Sequence, residues 1–150
     1  MAKSIQHKLF FSYPPEVVWE YLTKTELLAL WLMECDIQPV VGHDFQFRTK
    51  PIPALNFDGN IYCKVLEVIS PKKLSYSWKG GPGKGQVTFD SIVVWTLHQK
   101  DNGTELSLDH SGFTDLTDIN MYNAMNEGWL KNMQKIPVLI NAATHGTTNP

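Results

Sequence analysis

The sequence is poor in arginine, and this excludes one large class of partners. Only one of its thirteen basic residues, Arg48, is an arginine, and the formal net charge is -2. Proteins that bind nucleic acid need a dense basic surface, often rich in arginine, to displace counterions from the phosphates. We therefore expect no nucleic-acid partner.

Long apolar runs and cysteines are also scarce. No apolar run reaches the roughly eighteen residues of a membrane-spanning helix, so we expect no membrane insertion. The first residues show no signal-peptide pattern, and the two cysteines, Cys35 and Cys63, form no C-x-x-C pair. These features favour a cytoplasmic protein, in which both cysteines are small buried hydrophobic side chains rather than a disulfide or a nucleophile.

What the sequence does contain is a clear alternation of patterns along 150 residues. An alternating strand at the start is followed by two short helices, the first begun by two prolines and the second expected to be capped by Thr25. Period-two alternation then predicts about six strands between residues 35 and 113. A long helix follows, and residues 143–150 are expected to fray. We expect residues 1–150 to form one domain.

This order of elements predicts an α+β fold. Consecutive antiparallel strands form one sheet, and the helices are segregated to one side of it. A sheet of about six to seven strands must twist and curl, so its concave face is the natural place for the last helix to bury its apolar side.

The last helix carries an unusual apolar stripe. Met121, Met125, Trp129 and Met133 recur every four residues and therefore share one helix face. The stripe is either ordinary packed core or an adaptable wall, because methionine has three rotatable bonds and a polarizable sulfur. Gly128 is expected to let the helix lie close to the sheet beside the tryptophan.

Four stretches together resemble one known family. They are "PPEVVWEYLT…LLALWL" at 14–32, "VLEVISPKKLSYSW" at 65–78, "VVWTLHQKDNGTELSLDHSGF" at 93–113 and "GW" at 128–129. The chain resembles the helix-grip fold of the START-like (SRPBCC, birch-pollen-allergen) superfamily. More narrowly, it is similar to bacterial single-domain members of the family named for activators of the heat-shock protein 90 ATPase.

The resemblance implies a cavity between the curled sheet and the C-terminal helix. One departure from the family pattern is Pro137, which removes a helix donor and predicts a kink or an early end there. The loop around residues 51–58 is apolar for a loop and is expected either to close the cavity mouth or to pack on the domain edge. The expected cavity walls are Trp31, Phe45, Phe47, Trp78, Trp95, Met121, Met125, Trp129 and Met133, with Leu55 and Phe57 at the mouth.

His110 is the polar residue that strand alternation points inward. It is either satisfied by neighbouring protein groups or a polar contact that orients a mostly apolar ligand. Asp109 and Ser111, its neighbours, point to the opposite face, so these three residues cannot form a catalytic relay. The histidines show no metal-ligand spacing, and we expect neither a metal nor a cofactor.

Three functions are compatible with these patterns. The first is a binding protein that holds a hydrophobic small molecule in a closed cavity of roughly 300–1,000 Å³. The second is a chaperone-interaction module. The chaperone activators that the chain resembles carry an additional N-terminal domain, which is not expected here, and this counts against the second function. The third is a cyclase or hydrolase, for which His110, Glu67 and Tyr76 would have to supply the acid or base. A homodimer is compatible with the same patterns.

Overall fold

The computed structural model describes residues 3–113 and 119–145, with side chains described for 4–112 and 122–144. A 3₁₀ turn at Pro53–Leu55 interrupts the loop before β4. The other elements, in chain order, are β1 (Lys3–Phe11), α1 (Pro15–Thr23), α2 (Thr25–Trp31), β2 (Glu34–Cys35), β3 (Asp44–Arg48), β4 (Asn60–Ile69), β5 (Lys73–Gly80), β6 (Phe89–Lys100), β7 (Gly103–Phe113), α3 (Ile119–Met133) and α4 (Lys135–His145).

Within the described residues, seven antiparallel strands form one curled sheet in the order β1-β7-β6-β5-β4-β3-β2. The predicted α+β helix-grip fold is confirmed. The first strand crosses over to pair with the last one, with Ile5 opposite His110 and Leu9 opposite Leu106. This closure places α1 and α2 at one end of the sheet and leaves its concave face to α3 and α4.

Strand alternation fills the concave face as predicted. The central strands each bury every second side chain, for example Leu74, Tyr76 and Trp78 on β5. The C-terminal helices bury Trp129 and Met133 on α3 and Ile136 and Ile140 on α4. Within each helix the two residues are four apart and therefore share a face.

One local prediction needs correction. The residue that caps α2 is Lys24, in an extended conformation and without a side-chain hydrogen bond, so Thr25 is already helical.

The β6–β7 hairpin turns at Asp101 and Asn102, which have positive φ of 50° and 63°. The next residue, Gly103, is needed for space, because a Cβ there would clash with the carbonyl oxygen of Phe11.

The C-terminal helix is interrupted three residues before Pro137. Helix α3 ends at Met133 and α4 begins at Lys135. Proline cannot donate to the carbonyl of Met133, and its ring crowds that carbonyl, so an uninterrupted helix is disfavoured there. Pro137 lies instead in the first turn of α4, where its missing donor would have no partner within the helix. The predicted break is confirmed, and the chain continues as a second helix.

Among residues 3–113 and 119–145, no helix is both long and apolar enough to cross a bilayer.

Candidate functional site

An open pocket of about 260 Å³ lies where α3 passes over one end of the concave face. The walls come from the end of α2, the loop before β4, strands β4 to β6 and helix α3. An adjoining space of about 100 Å³ shares part of this lining and adds Gly128 and Trp129. The main pocket is lined by Leu32, Met33, Thr49, Ile52, Leu55, Phe57, Ile61, Trp78, Phe89, Ala124, Met125 and Asn132.

The deeper part of the concave face is packed core. Trp31 and Trp95 meet edge to face with ring centroids 5.9 Å apart, and Phe45 and Phe47 do the same at 5.4 Å. Met133 is fully buried. None of these five residues lines the pocket just described. Bulky side chains therefore fill this part of the concave face.

The methionine stripe divides between these two environments. Met125 is half-buried and lines the pocket, whereas Trp129 and Met133 are buried in the core. The side chain of Met121 lies outside the described residues. A spacing of four residues drifts around a 3.6-residue helix by about 40° per step, so one sequence stripe can face two different neighbours.

Gly128 also differs from expectation. A Cβ built on it has nothing within 4 Å, so the glycine does not allow a close approach of helix and sheet. Its missing side chain instead leaves the smaller space beside Trp129 open.

Trp129 is held in place by a chain of hydrogen bonds. Its Nε1 donates to Nδ1 of His110 at 2.9 Å. The indole nitrogen can only donate, so Nδ1 must be unprotonated and the histidine proton lies on Nε2. Nε2 is 2.7 Å from the hydroxyl of Ser91, which in turn donates to the carbonyl of Trp78 at 3.0 Å.

This arrangement favours a neutral His110. The side chain is fully buried, and burial lowers its pKa to about 3 because the protonated ring cannot be hydrated there. Protonation at Nδ1 would also break the hydrogen bond from Trp129. The histidine therefore lies behind the two tryptophans that line the pocket and positions one of them.

The outer wall of the pocket is an ordered loop. Ile52 and Phe57 exchange backbone hydrogen bonds of 2.9 and 3.3 Å, and Asn56 turns the chain between them with a left-handed φ of 52°. The ring of Phe57 packs against that of Phe89, with ring centroids 6.1 Å apart. The loop residues predicted for the mouth, Leu55 and Phe57, both line the pocket.

The other residues considered for acid or base chemistry lie elsewhere. Glu67 follows a bulge in β4, but its carboxylate is partly exposed and lies 2.9 Å from the ammonium of Lys73. Tyr76 is buried, and its hydroxyl accepts a hydrogen bond from Trp95 Nε1 at 2.9 Å. Burial raises the pKa of this tyrosine well above its ordinary value. Neither residue lines the pocket.

The described residues contain neither a thiol with a lowered pKa nor a group of side chains that could bind a metal ion. Cys35 and Cys63 are free thiols, and burial raises the pKa of both. In the described ranges, no three His, Cys, Asp or Glu side chains converge on a point where they could hold a metal ion.

The sequence analysis missed most of the polar and aliphatic lining. Asn132 lies four residues after Gly128, so the helical period could have placed it on the pocket face. Met33 follows α2 in a short irregular segment, and Ile52 lies in a loop. Neither position belongs to a periodic pattern that would have indicated its direction.

Comparison with known proteins identifies relatives of this fold. A family model described as "Activator of Hsp90 ATPase homolog 1-like protein" matches residues 12–141. The solved structure of protein MLL2253 from Mesorhizobium loti is 30% identical, with a TM-score of 0.80 over 93% of this chain and 97% of that one. A comparison with curated proteins gives no significant match.

Two more distant structures share the fold alone. The Aha1 protein of Colwellia psychrerythraea, solved as a dimer, is 20% identical, with a TM-score of 0.71 over 90% of this chain and 93% of that one. DynU16, a protein from the dynemicin biosynthetic locus, is 18% identical, with a TM-score of 0.71 over 93% of this chain and 48% of that one.

Proposed function

The chain belongs to the family of activator of Hsp90 ATPase homolog 1-like proteins, and within it we propose that this protein binds a small, largely apolar molecule. The observation that carries the proposal is the pocket between α2, the 49–57 loop and α3. Its volume of about 260 Å³, with about 100 Å³ adjoining, is close to the lower end of the range for ligand sites, roughly 300–1,000 Å³.

The lining supports an apolar ligand. Aromatic rings and aliphatic side chains dominate it, and none of the described side chains that line it is charged. Of the residues predicted as cavity walls or mouth, the proposed contacts are Trp78, Met125, Trp129, Leu55 and Phe57. His110 is proposed to act indirectly, by holding the indole of Trp129.

Met33 and Met125 would let the pocket adapt. They lie on opposite walls, one after α2 and one on α3, and both are partly buried. A methionine side chain can change rotamer at little cost and can place its sulfur against a ligand ring. The rigid rings of Trp78 and Phe57 would then define the ligand's plane, while the methionines accommodate its outline.

Catalysis has weaker support than binding. The described lining offers hydrogen-bonding groups, at Thr49, Trp78 and Asn132, but no carboxylate, imidazole or thiol that could transfer a proton. The relatives from biosynthetic and chaperone contexts differ too far in sequence to carry an activity to this chain. A chaperone-interaction role, which the family description invites, would leave the pocket vacant and so makes the opposite prediction below.

The test is mass spectrometry of an organic extract from the purified, unheated protein. The matched control is Gly128→Leu, which adds a side chain where nothing lies within 4 Å of the Cβ position. Leucine also has a higher helix propensity than glycine, so the variant should keep helix α3. We expect a stoichiometric small molecule from the wild type and little or none from the variant. Equal amounts from both proteins, or none from either, would count against the proposal.

A further inference from the structure

One buried polar atom in the pocket wall has no protein partner. The indole nitrogen of Trp78 is buried, and no acceptor among the described residues lies within hydrogen-bonding distance of it. Buried N–H groups in native proteins are nearly always paired, because an unpaired one loses its bond to water and gains nothing in return.

Three other indoles of the core have protein acceptors. Trp31 Nε1 donates to the carbonyl of Tyr21 at 2.8 Å, Trp95 Nε1 to the hydroxyl of Tyr76, and Trp129 Nε1 to His110. Trp78 differs from Trp31 and Trp95 in lining the main pocket, and from Trp129 in lacking an acceptor. The position of the exception coincides with the proposed binding site.

The ring of Trp78 cannot easily turn its nitrogen toward another partner. It packs against Trp129 with ring centroids 5.0 Å apart, against Phe47 at 5.3 Å and against His110 at 5.4 Å. Its backbone carbonyl is fixed by the hydroxyl of Ser91. The indole is therefore held by the core on several sides, and the acceptor for its N–H must come to it.

We infer that Trp78 Nε1 is the hydrogen-bond donor that selects the ligand, and that the ligand is a neutral, largely apolar molecule carrying an acceptor oxygen. This inference rests on the proposed binding function. A neutral ligand is favoured because the described lining holds neither a cation nor an anion to pair with a charged one, and an unpaired charge in such a site is costly. Met33 and Met125, which line both spaces beside Trp78, are the side chains that would have to move for the acceptor to reach the buried nitrogen.

The test uses two probes of nearly equal shape, 2-acetonaphthone and 2-isopropenylnaphthalene. The first is a ketone, and the second is the alkene in which a methylene group replaces the carbonyl oxygen. The wild type is expected to bind the ketone about tenfold more tightly than the alkene, as one added buried hydrogen bond implies. A third probe, 2-naphthoate, is expected to bind more weakly than the ketone because its charge would be unpaired.

Trp78→Phe is expected to abolish the preference for the ketone. The matched control is Trp129→Phe, which also replaces a pocket indole by a smaller ring. The N–H that it removes already donates a hydrogen bond to His110 and is not available to a ligand. This control is expected to weaken both probes alike and to keep the ketone preference. The ratio of the two affinities within each variant separates the lost hydrogen bond from the lost ring contact.

The outcomes distinguish the inference from the binding function. An unchanged ketone preference in Trp78→Phe, or naphthoate binding as tightly as the ketone, would overturn the inference and leave the pocket as a binding site. Failure of every probe to bind the wild type would contradict both.

Nuclear magnetic resonance of the wild type gives a readout that does not depend on the variants' folding. The indole N–H signal of Trp78 should move downfield with the ketone and not with the alkene. A signal that does not respond to the ketone at saturation would also overturn the inference.

Discussion

Trp129 on helix α3 donates a hydrogen bond of 2.9 Å to Nδ1 of His110 on strand β7. This contact connects the C-terminal helix to the sheet and orients an indole that borders the smaller space beside the pocket. It also fixes the protonation state of the histidine, because Nδ1 must stay an acceptor. Both the stability of the fold and the shape of the pocket therefore depend on the buried imidazole of His110.

The first prediction concerns pH. Burial lowers the pKa of His110 to about 3, whereas an unfolded histidine has a pKa of about 6.5. Below pH 6.5 the unfolded chain therefore binds a proton that the folded chain does not. The contribution of neutral His110 to the free energy of unfolding is fully present above pH 6.5, and it falls by about 1.4 kcal/mol per pH unit toward pH 3.

Chemical denaturation of the wild type and of His110→Gln, measured from pH 7 to pH 4, checks this. The variant should be less stable at pH 7 but should lose less stability as the pH falls. Parallel curves for the two proteins would show that His110 does not stay neutral in the fold.

The second prediction concerns Ser91, whose hydroxyl lies 2.7 Å from Nε2 of the imidazole. Ser91→Ala removes this hydrogen bond from the buried His110 and should lower the free energy of unfolding by about 1–3 kcal/mol. Ser77→Ala is the control on a neighbouring strand. The Ser77 hydroxyl accepts from the backbone N–H of Lys64 in an exposed setting, where water can replace it, so its loss should cost less than about 1 kcal/mol. Urea titration gives both values, and equal losses would refute a special role for Ser91.

The third prediction concerns Gly128. Because a Cβ there meets nothing within 4 Å, Gly128→Ala should stabilise α3 by about 0.5–1 kcal/mol through reduced backbone freedom in the unfolded chain. Gly128→Leu should be at least as stable as the wild type but should bind 2-acetonaphthone more weakly, since the longer side chain occupies the space beside Trp129. Thermal unfolding and fluorescence titration check the two effects. A destabilised Gly128→Ala protein would mean that the glycine is needed for helix packing after all.

Much of the fold could be predicted because strand alternation is a local signal. Alternation along β7 predicted that His110 points inward, and its side chain is fully buried. The break near Pro137 followed from the missing donor and the bulk of the proline ring. The pairing of β1 with β7 joins strands about 100 residues apart in the chain, and no local pattern indicates such a pairing. It is known only from the structure.

The site was harder to predict, for a physical reason. Periodicity tells which residues face inward, but it does not tell whether the space they face is filled. Trp31 and Met133 face inward and pack against other side chains, whereas Met125 faces inward at the end where the 49–57 loop leaves room. Cavities depend on how much volume several distant segments leave, and no single segment determines this.

Whether the pocket binds a ligand can be measured by a nuclear magnetic resonance titration of ¹³C-methyl methionine protein with 2-acetonaphthone. Met33 and Met125 line the pocket, whereas Met133 is buried in the core of the same fold and serves as an internal control. Binding in the pocket predicts that the methyl signals of Met33 and Met125 shift and saturate together while that of Met133 changes little. If Met33 and Met125 stayed unchanged at a saturating concentration, the pocket would not be the binding site and the account would fail.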